Sequence, residues 1–240
     1  KGSTNFDGSI LSIDTTNVEA GLSIVTATSP SSGTWSLGHG LGVKPSMIIQ
    51  KYYLNSGGRW TTWHNLLTSG QYMGLNEATS VASSGTPFNY TITDTVIGGN
   101  ANYDATSATA VYYVFADVEG YSKMGSYIGN NSAQPKGPFV YTGFKPMFLL
   151  IKNIDGGNYW RIWRPTGFDL TPPTEFNPHK YGMYPNSGDP EDSPTSNWQV
   201  DWLSNGFKIY TDAGEPQING SGNRFIYMAF GESFKYGNAN

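Results

Sequence analysis

The chain has 240 residues, of which 15% are aromatic and only 13% charged, with 30 glycines, 14 prolines and no cysteine. This is the profile of an all-β protein with short strands and tight turns, and it excludes a disordered or helical chain; the missing cysteines exclude disulfides, thiolate nucleophiles and Cys-based metal sites. The net charge of −4, with 14 Lys and Arg set singly along the chain, excludes nucleic acid as a partner because phosphate binding takes clustered cations. No apolar run reaches the ~18 residues that membrane insertion takes.

Residues 1–20 are polar and read as a linker or lead-in strand. They lack the apolar stretch of a signal peptide, and the opening on Lys1 reads as that of a fragment or processed product. Gly21 to Ala27 alternates and starts a first β-unit, expected over 21–124. Ser29 to Gly33 turns the chain, Thr34 to Gly38 continues it, and Gly38 to Gly42 is a glycine-rich bend. The run Ser46 to Tyr53 is apolar at its start, which suits a strand buried on both faces, and Pro45 stands where a strand tolerates proline. Past the Gly57-Gly58 hairpin, Trp60 and Trp63 face opposite sides, so one is expected in the core and the other more exposed.

The same order then returns. Val43-Lys44-Pro45, Met47-Ile48-Ile49, Lys51, Gly57-Gly58 and Trp60-x-x-Trp63 reappear as Phe144-Lys145-Pro146, Phe148-Leu149-Leu150-Ile151, Lys152, Gly156-Gly157 and Trp160-x-x-Trp163, with offsets 146 − 45 = 101, 152 − 51 = 101 and 163 − 63 = 100. More loosely, Ile92 to Val96 stands opposite Leu203 to Phe207, and Val111 to Asp117 opposite Ile226 to Glu232. The drift from 207 − 96 = 111 to 230 − 115 = 115 is what loop insertions between fixed strands produce. The prediction is an all-β fold of two tandem homologous β-sandwich units, the second over 125–240, with Tyr121 to Tyr127 crossing between them. The largest departure from the repeat is a long loop at 165–198, rich in Pro, Asn, Asp, Ser and Gly, and loops of this length tend to be functional.

Chemistry is sparse. His39 or His64 has the type of a general base, but no Gly-x-Ser-x-Gly elbow accompanies either, and His64, in the place of Arg164, suits a surface strand end. Asp117 and Glu119 share a strand face but have no second pair across a groove, so they read as a solvated strand end. Asp189, Glu191 and Asp192 are hard oxygen ligands of the kind calcium takes, without the spacing of a calcium loop. The sequons at Asn89, Asn130 and Asn219 arise easily in a chain of this composition. No cofactor is expected.

Aromatic side chains stack on the apolar faces of sugars, and flanking Asn, Asp and Gln bond the hydroxyls. The tryptophans found in both units, Trp60, Trp63, Trp160 and Trp163, belong to the fold. The candidates for glycan or partner contact are Trp35, Trp198, Trp202, Tyr184, Tyr52 and Tyr53.

The boundary sequence from Phe115-Ala116-Asp117-Val118-Glu119-Gly120-Tyr121 to Gly129-Asn130, running into Gly137-Pro138-Phe139-Val140-Tyr141-Thr142-Gly143-Phe144-Lys145-Pro146, resembles a domain of undefined function that recurs in structural proteins of aquatic tailed bacteriophages such as cyanophages. The resemblance extends to Gly38 to Pro45, to Leu203 to Lys208 and to the ending Phe234 to Asn240, and so covers nearly the whole chain from Gly21. In that family the domain usually lies at the C-terminal end of longer proteins, behind other β-modules. The resemblance implies a non-enzymatic virion surface protein of the tail fibre, baseplate or capsid. Its implied partners are other virion proteins, a host-surface glycan and further copies of itself, a trimer by analogy with fibres. The alternatives are a phage glycan depolymerase and a secreted cellular adhesin or filament subunit.

Overall fold

The computed structural model describes residues 2–54, 58, 60–68, 70–83, 91–102, 105–165, 177–191, 198–211 and 216–232. The chain is almost entirely β, built of several antiparallel sheets, and its one described helix, α1 (Pro216–Asn219), is a single turn. No described helix is long and apolar enough to cross a membrane. The chain divides into two compact units, one of Lys1–Asn76 and Val81–Val118, the other of Glu77–Ser80 and Glu119–Asn240.

In the first unit, β1 (Ser3–Asn5), β2 (Ser12–Asn17), β3 (Leu22–Thr28), β4 (Thr34–Gly38), β5 (Met47–Leu54), β6 (Thr61–His64), β7 (Met73–Gly74), β8 (Val96–Asn100) and β9 (Thr109–Phe115) form two sheets. The larger has the order β1-β2-β3-β9-β5-β6-β7, and β4 pairs with β8. Residues 1–20, expected as a linker or lead-in strand, thus supply two strands of the larger sheet. Strict alternation in β9, where Ala110, Tyr112 and Val114 are buried and their neighbours are not, aims one face at the core. There it meets Val25, Ile48, Leu37 and Ile97, so side chains of both sheets share one sandwich-like core.

The second unit holds β10 (Ser122–Ile128), β11 (Phe139–Tyr141), β12 (Phe148–Asn153), β13 (Arg161–Trp163), β14 (Trp198–Leu203), β15 (Gly206–Thr211) and β16 (Arg224–Phe230). Its sheets run β10-β16-β12-β13 and β11-β15-β14 around a core that includes Leu149, Ile151, Phe207, Ile209 and Tyr227. Tyr121 to Tyr127, read from the sequence as a crossing between units, is mostly β10, paired along its whole length with β16. Alternation and a long-range partner make it a sheet member.

The pairing registers repeat. Met47↔Phe115 and Ile49↔Tyr113 in the first unit become Phe148↔Phe230 and Leu150↔Met228 in the second, 148 − 47 = 101 on one strand and 230 − 115 = 115 on the other. β5 with β6 and β12 with β13 repeat likewise, Ile48↔Trp63 becoming Leu149↔Trp163. The residue after each Lys-Pro pair makes the same main-chain bond, Ser46 N to Phe115 O and Met147 N to Phe230 O, each 2.7 Å. In the smaller sheets Leu37↔Ile97 answers Val140↔Phe207. The counterpart of Phe207 is therefore Ile97, one residue on from the sequence alignment.

Candidate binding site

The strand plan fixes one polar cluster in both units. Lys51 Nζ donates to Gly58 O at 2.5 Å and lies 5.9 Å over the Trp60 ring, while Trp60 N donates to Asn76 Oδ1 at 2.7 Å. In the second unit Lys152 Nζ donates to Asn158 O and lies 5.9 Å over Trp160, and Trp160 N donates to Asn186 Oδ1 at 3.2 Å. The lysine bonds a main-chain carbonyl just before the tryptophan and the asparagine hooks the tryptophan's main-chain N–H, so these groups serve the frame. Burial pushes the Lys152 ammonium down to about 8. Trp163, Trp160 and Trp63 are buried and Trp60 is half-buried, so the expected division into core and more exposed holds only in the first unit.

The hook corrects one expectation. Met183 bridges Ile162 as Met73 pairs with Thr62, and Asn186 follows as Asn76 does. This part of the 165–198 stretch thus belongs to the repeated plan. Residues 166–176 and 192–197 of it lie outside the described residues.

On this frame the second unit carries an aromatic cluster around Arg161. Thr61 pairs with Gly74 in the first unit, and in the second Arg161 and Tyr184 flank the Ile162↔Met183 bridge. The Arg161 side chain is fully buried, with its guanidinium carbon 3.7 Å from the Tyr184 ring centre and 3.6 Å from that of Trp198. Its Nη2 donates to Gln217 Oε1 at 3.1 Å. A desolvated guanidinium on an aromatic face contributes on the order of 2 kcal/mol, which offsets part of the cost of burying the charge. Tyr159, 40% exposed, meets Tyr184 edge to face at 5.5 Å and carries the cluster to the surface. Of the three rings Tyr159 is the exposed one, while Tyr184 and Trp198 are half-buried with Arg161 against their faces.

Of the six sequence candidates, the structure brings Trp198 and Tyr184 together here. Trp35, Tyr52 and Trp202 are corrections, because strand alternation turns all three inward. Trp35 packs edge-on against Tyr112, and Asn177 brackets Trp202 by bonding both its main-chain N and O. Tyr53 is exposed near the end of β5. Sequence reasoning missed Arg161, Tyr159 and Gln217; the available signal was an arginine where the first unit has Thr61.

The remaining candidates are placed as follows. His39 Nε2 donates to Thr93 O at 3.1 Å and its Nδ1 accepts from Leu41 N at 3.3 Å, so both ring nitrogens serve the main chain, and burial lowers its pKa. His64, expected at a surface strand end, is fully buried, and its Nδ1 accepts from Leu66 N at 3.2 Å. Asp117 and Glu119 are exposed. Asp189 is exposed and accepts from Ser187 Oγ at 2.6 Å, Glu191 is half-buried, and Asp192 lies outside the described residues. Among the described residues no group of three or more acidic or histidine side chains is arranged to hold a metal ion. Asn219 is fully buried and its amide donates to Asn130 Oδ1 and Ser132 O, each 3.2 Å, which makes this sequon part of the fold.

The family described as a domain of unknown function, DUF7483, matches residues 1–234. The match takes in β1 and β2 as well as both units. No curated protein and no solved structure matches the chain.

Proposed function

The chain belongs to the DUF7483 family, a domain of unknown function, and from that premise we propose that it is a non-enzymatic surface module of a tailed-bacteriophage particle that contacts host glycans. In this reading the chain is two tandem, homologous β-sandwich units. The constant register offsets of 101 and 115 support their common origin, and the sequence resemblance to phage structural proteins supports the setting. The module stands on the virion surface beside other virion proteins, and assembly into a homo-oligomer raises weak single-site affinity.

One observation carries the attachment role: Tyr159, Tyr184 and Trp198 gather on Arg161 in the second unit, and the first unit has Thr61 in the place of Arg161. The test is adsorption of the purified chain to host cells, together with its localisation in a cryo-EM map of the particle. Density on the tail or capsid surface, and a drop in adsorption of about ten-fold or more for Tyr159→Ala with Tyr184→Ala, are expected. Unchanged adsorption of that folded variant rejects the cluster. Release of oligosaccharides from host polysaccharide by the wild type replaces the attachment reading with a depolymerase.

A further inference from the structure

Strand β11 shows a second arrangement that the cluster around Arg161 does not involve. Phe139 and Tyr141 are 47% and 65% exposed, side by side on the outer face, while Val140 between them is buried in the core. At i and i+2 on a strand, the two rings stand roughly 7 Å apart. Phe139 is seated over a glycine: a Cβ at Gly206 would stand 3.1 Å from Phe139 Cε2 and 2.1 Å from Val140 O. The absence of a side chain there lets the Phe139 ring lie against the neighbouring strand.

Main-chain groups complete the surface. Ile209 N donates to Pro138 O at 3.2 Å, so alternation turns the N–H and C=O groups of Phe139 and Tyr141 away from β15, toward the free edge. In the first unit the counterpart of Phe139 is Ser36, and that edge is covered: Ile10 N donates to Ser36 O at 3.0 Å and Ser36 N donates to Ser9 Oγ at 2.8 Å. Ile10 there also packs on the core. Among the described residues nothing covers β11 in this way.

The row that contains Phe139 holds one cation beside one anion, Lys208 paired with Asp201, and so no net charge. Lys208, opposite Phe139, donates from Nζ to Pro135 O at 2.8 Å, and Asp201, next in the row, accepts from Tyr210 Oη at 2.7 Å. Two exposed rings, outward main-chain donors and acceptors, and no net charge in the row fit a ligand with apolar faces and hydroxyl edges. We propose that Phe139 and Tyr141, with the free edge of β11, form a second binding platform, for an uncharged oligosaccharide. The proposal rests on the glycan-contact reading above and adds to it the place and the class of the sugar.

The test is calorimetric titration of the full chain with cellohexaose, laminarihexaose, chitohexaose and, as the charged comparison, an alginate hexamer. Binding of at least one uncharged hexasaccharide is expected, with about a ten-fold loss of affinity for Phe139→Ala or Tyr141→Ala, unchanged melting of both variants, and no loss for Tyr159→Ala. Binding that survives Phe139→Ala with Tyr141→Ala but disappears in Tyr159→Ala overturns the platform and leaves the glycan reading intact. Preference for the alginate hexamer overturns the uncharged class, and absence of binding to all three uncharged sugars overturns the platform, while the adsorption assay decides the attachment role on its own. A synthetic peptide of residues 2–17 that perturbs the Phe139 and Tyr141 amides, with no sugar doing so, converts the site into a strand-addition edge and likewise overturns the proposal.

Discussion

The first unit sets Thr61 opposite Gly74, and the second, beside the matching Ile162↔Met183 bridge, carries Arg161 and Tyr184. Near that position both units show a lysine over a tryptophan and an asparagine hooking the tryptophan strand. The frame therefore does not need the large side chains. Its stability comes from strand pairing and the inward residues, which frees the same place in the second unit to carry rings and a charge. The comparison also separates two meanings of an aromatic residue, since the tryptophans present in both units pack and the aromatics present in one unit include those that reach the surface.

The largest effect expected is on the shared tryptophans. Trp160→Ala lowers unfolding free energy by about 3–5 kcal/mol, as for a fully buried aromatic; Trp60→Ala, at a half-buried site, costs about half as much. Equal losses in urea denaturation would break the idea that the second unit packs this position more deeply.

Lys152 gives a pH test. Its folded value, about 8, lies below that of the unfolded chain, near 10.5. The unfolded state then holds more protons between these values, and stability rises with pH through that window, by up to about 3 kcal/mol. Lys152→Met flattens this rise, and denaturation of both proteins at pH 7.5, 9 and 10.5 checks it. Parallel curves would mean that the ammonium is not penalised by burial.

A smaller effect is expected at the cluster. Arg161→Lys keeps the charge but loses the flat surface that lies between Tyr184 and Trp198, at a cost of about 2 kcal/mol. The smallest effect belongs to Asp155, whose carboxylate receives Arg224 Nη2 at 2.6 Å on an exposed loop. Asp155→Ala costs less than about 1 kcal/mol. The Arg224 hydrogen bond holds the Asp155 carboxyl below its usual range, so that contribution is present above pH ~4 and fades as pH falls through the lowered value. A double-mutant cycle with Arg224→Ala measures the pair.

Much of the fold was legible because strands announce themselves locally. Lys-Pro, the apolar run and Trp-x-x-Trp carry the register of three neighbouring strands, and their offsets reappear as pairing partners. The hook was not legible: Met73 with Asn76 and Met183 with Asn186 are two residues in loops of different length, with no periodicity to mark them. The site was legible only in part. Trp198 and Tyr184 stood out as differing between the units, but Trp35, Tyr52 and Trp202 look the same in composition and point inward. Phe139 and Tyr141 read as ordinary alternation, because a sequence shows which residues share a face and not whether that face is covered. His64 looked peripheral from its place at a strand end, and β6 turned out to be buried at every position.

The asparagine hook also bears on how such a chain changes over time. From Trp63 to Met73 the chain advances 73 − 63 = 10 residues, and from Trp163 to Met183 it advances 183 − 163 = 20, yet both stretches end in the same bridge and the same amide contact. A fastening at each end makes the length between them a free variable. Segments can be inserted, lengthened or exchanged there without a new sheet having to be found, and a designer wishing to graft a foreign binding loop onto this scaffold would begin at that interval.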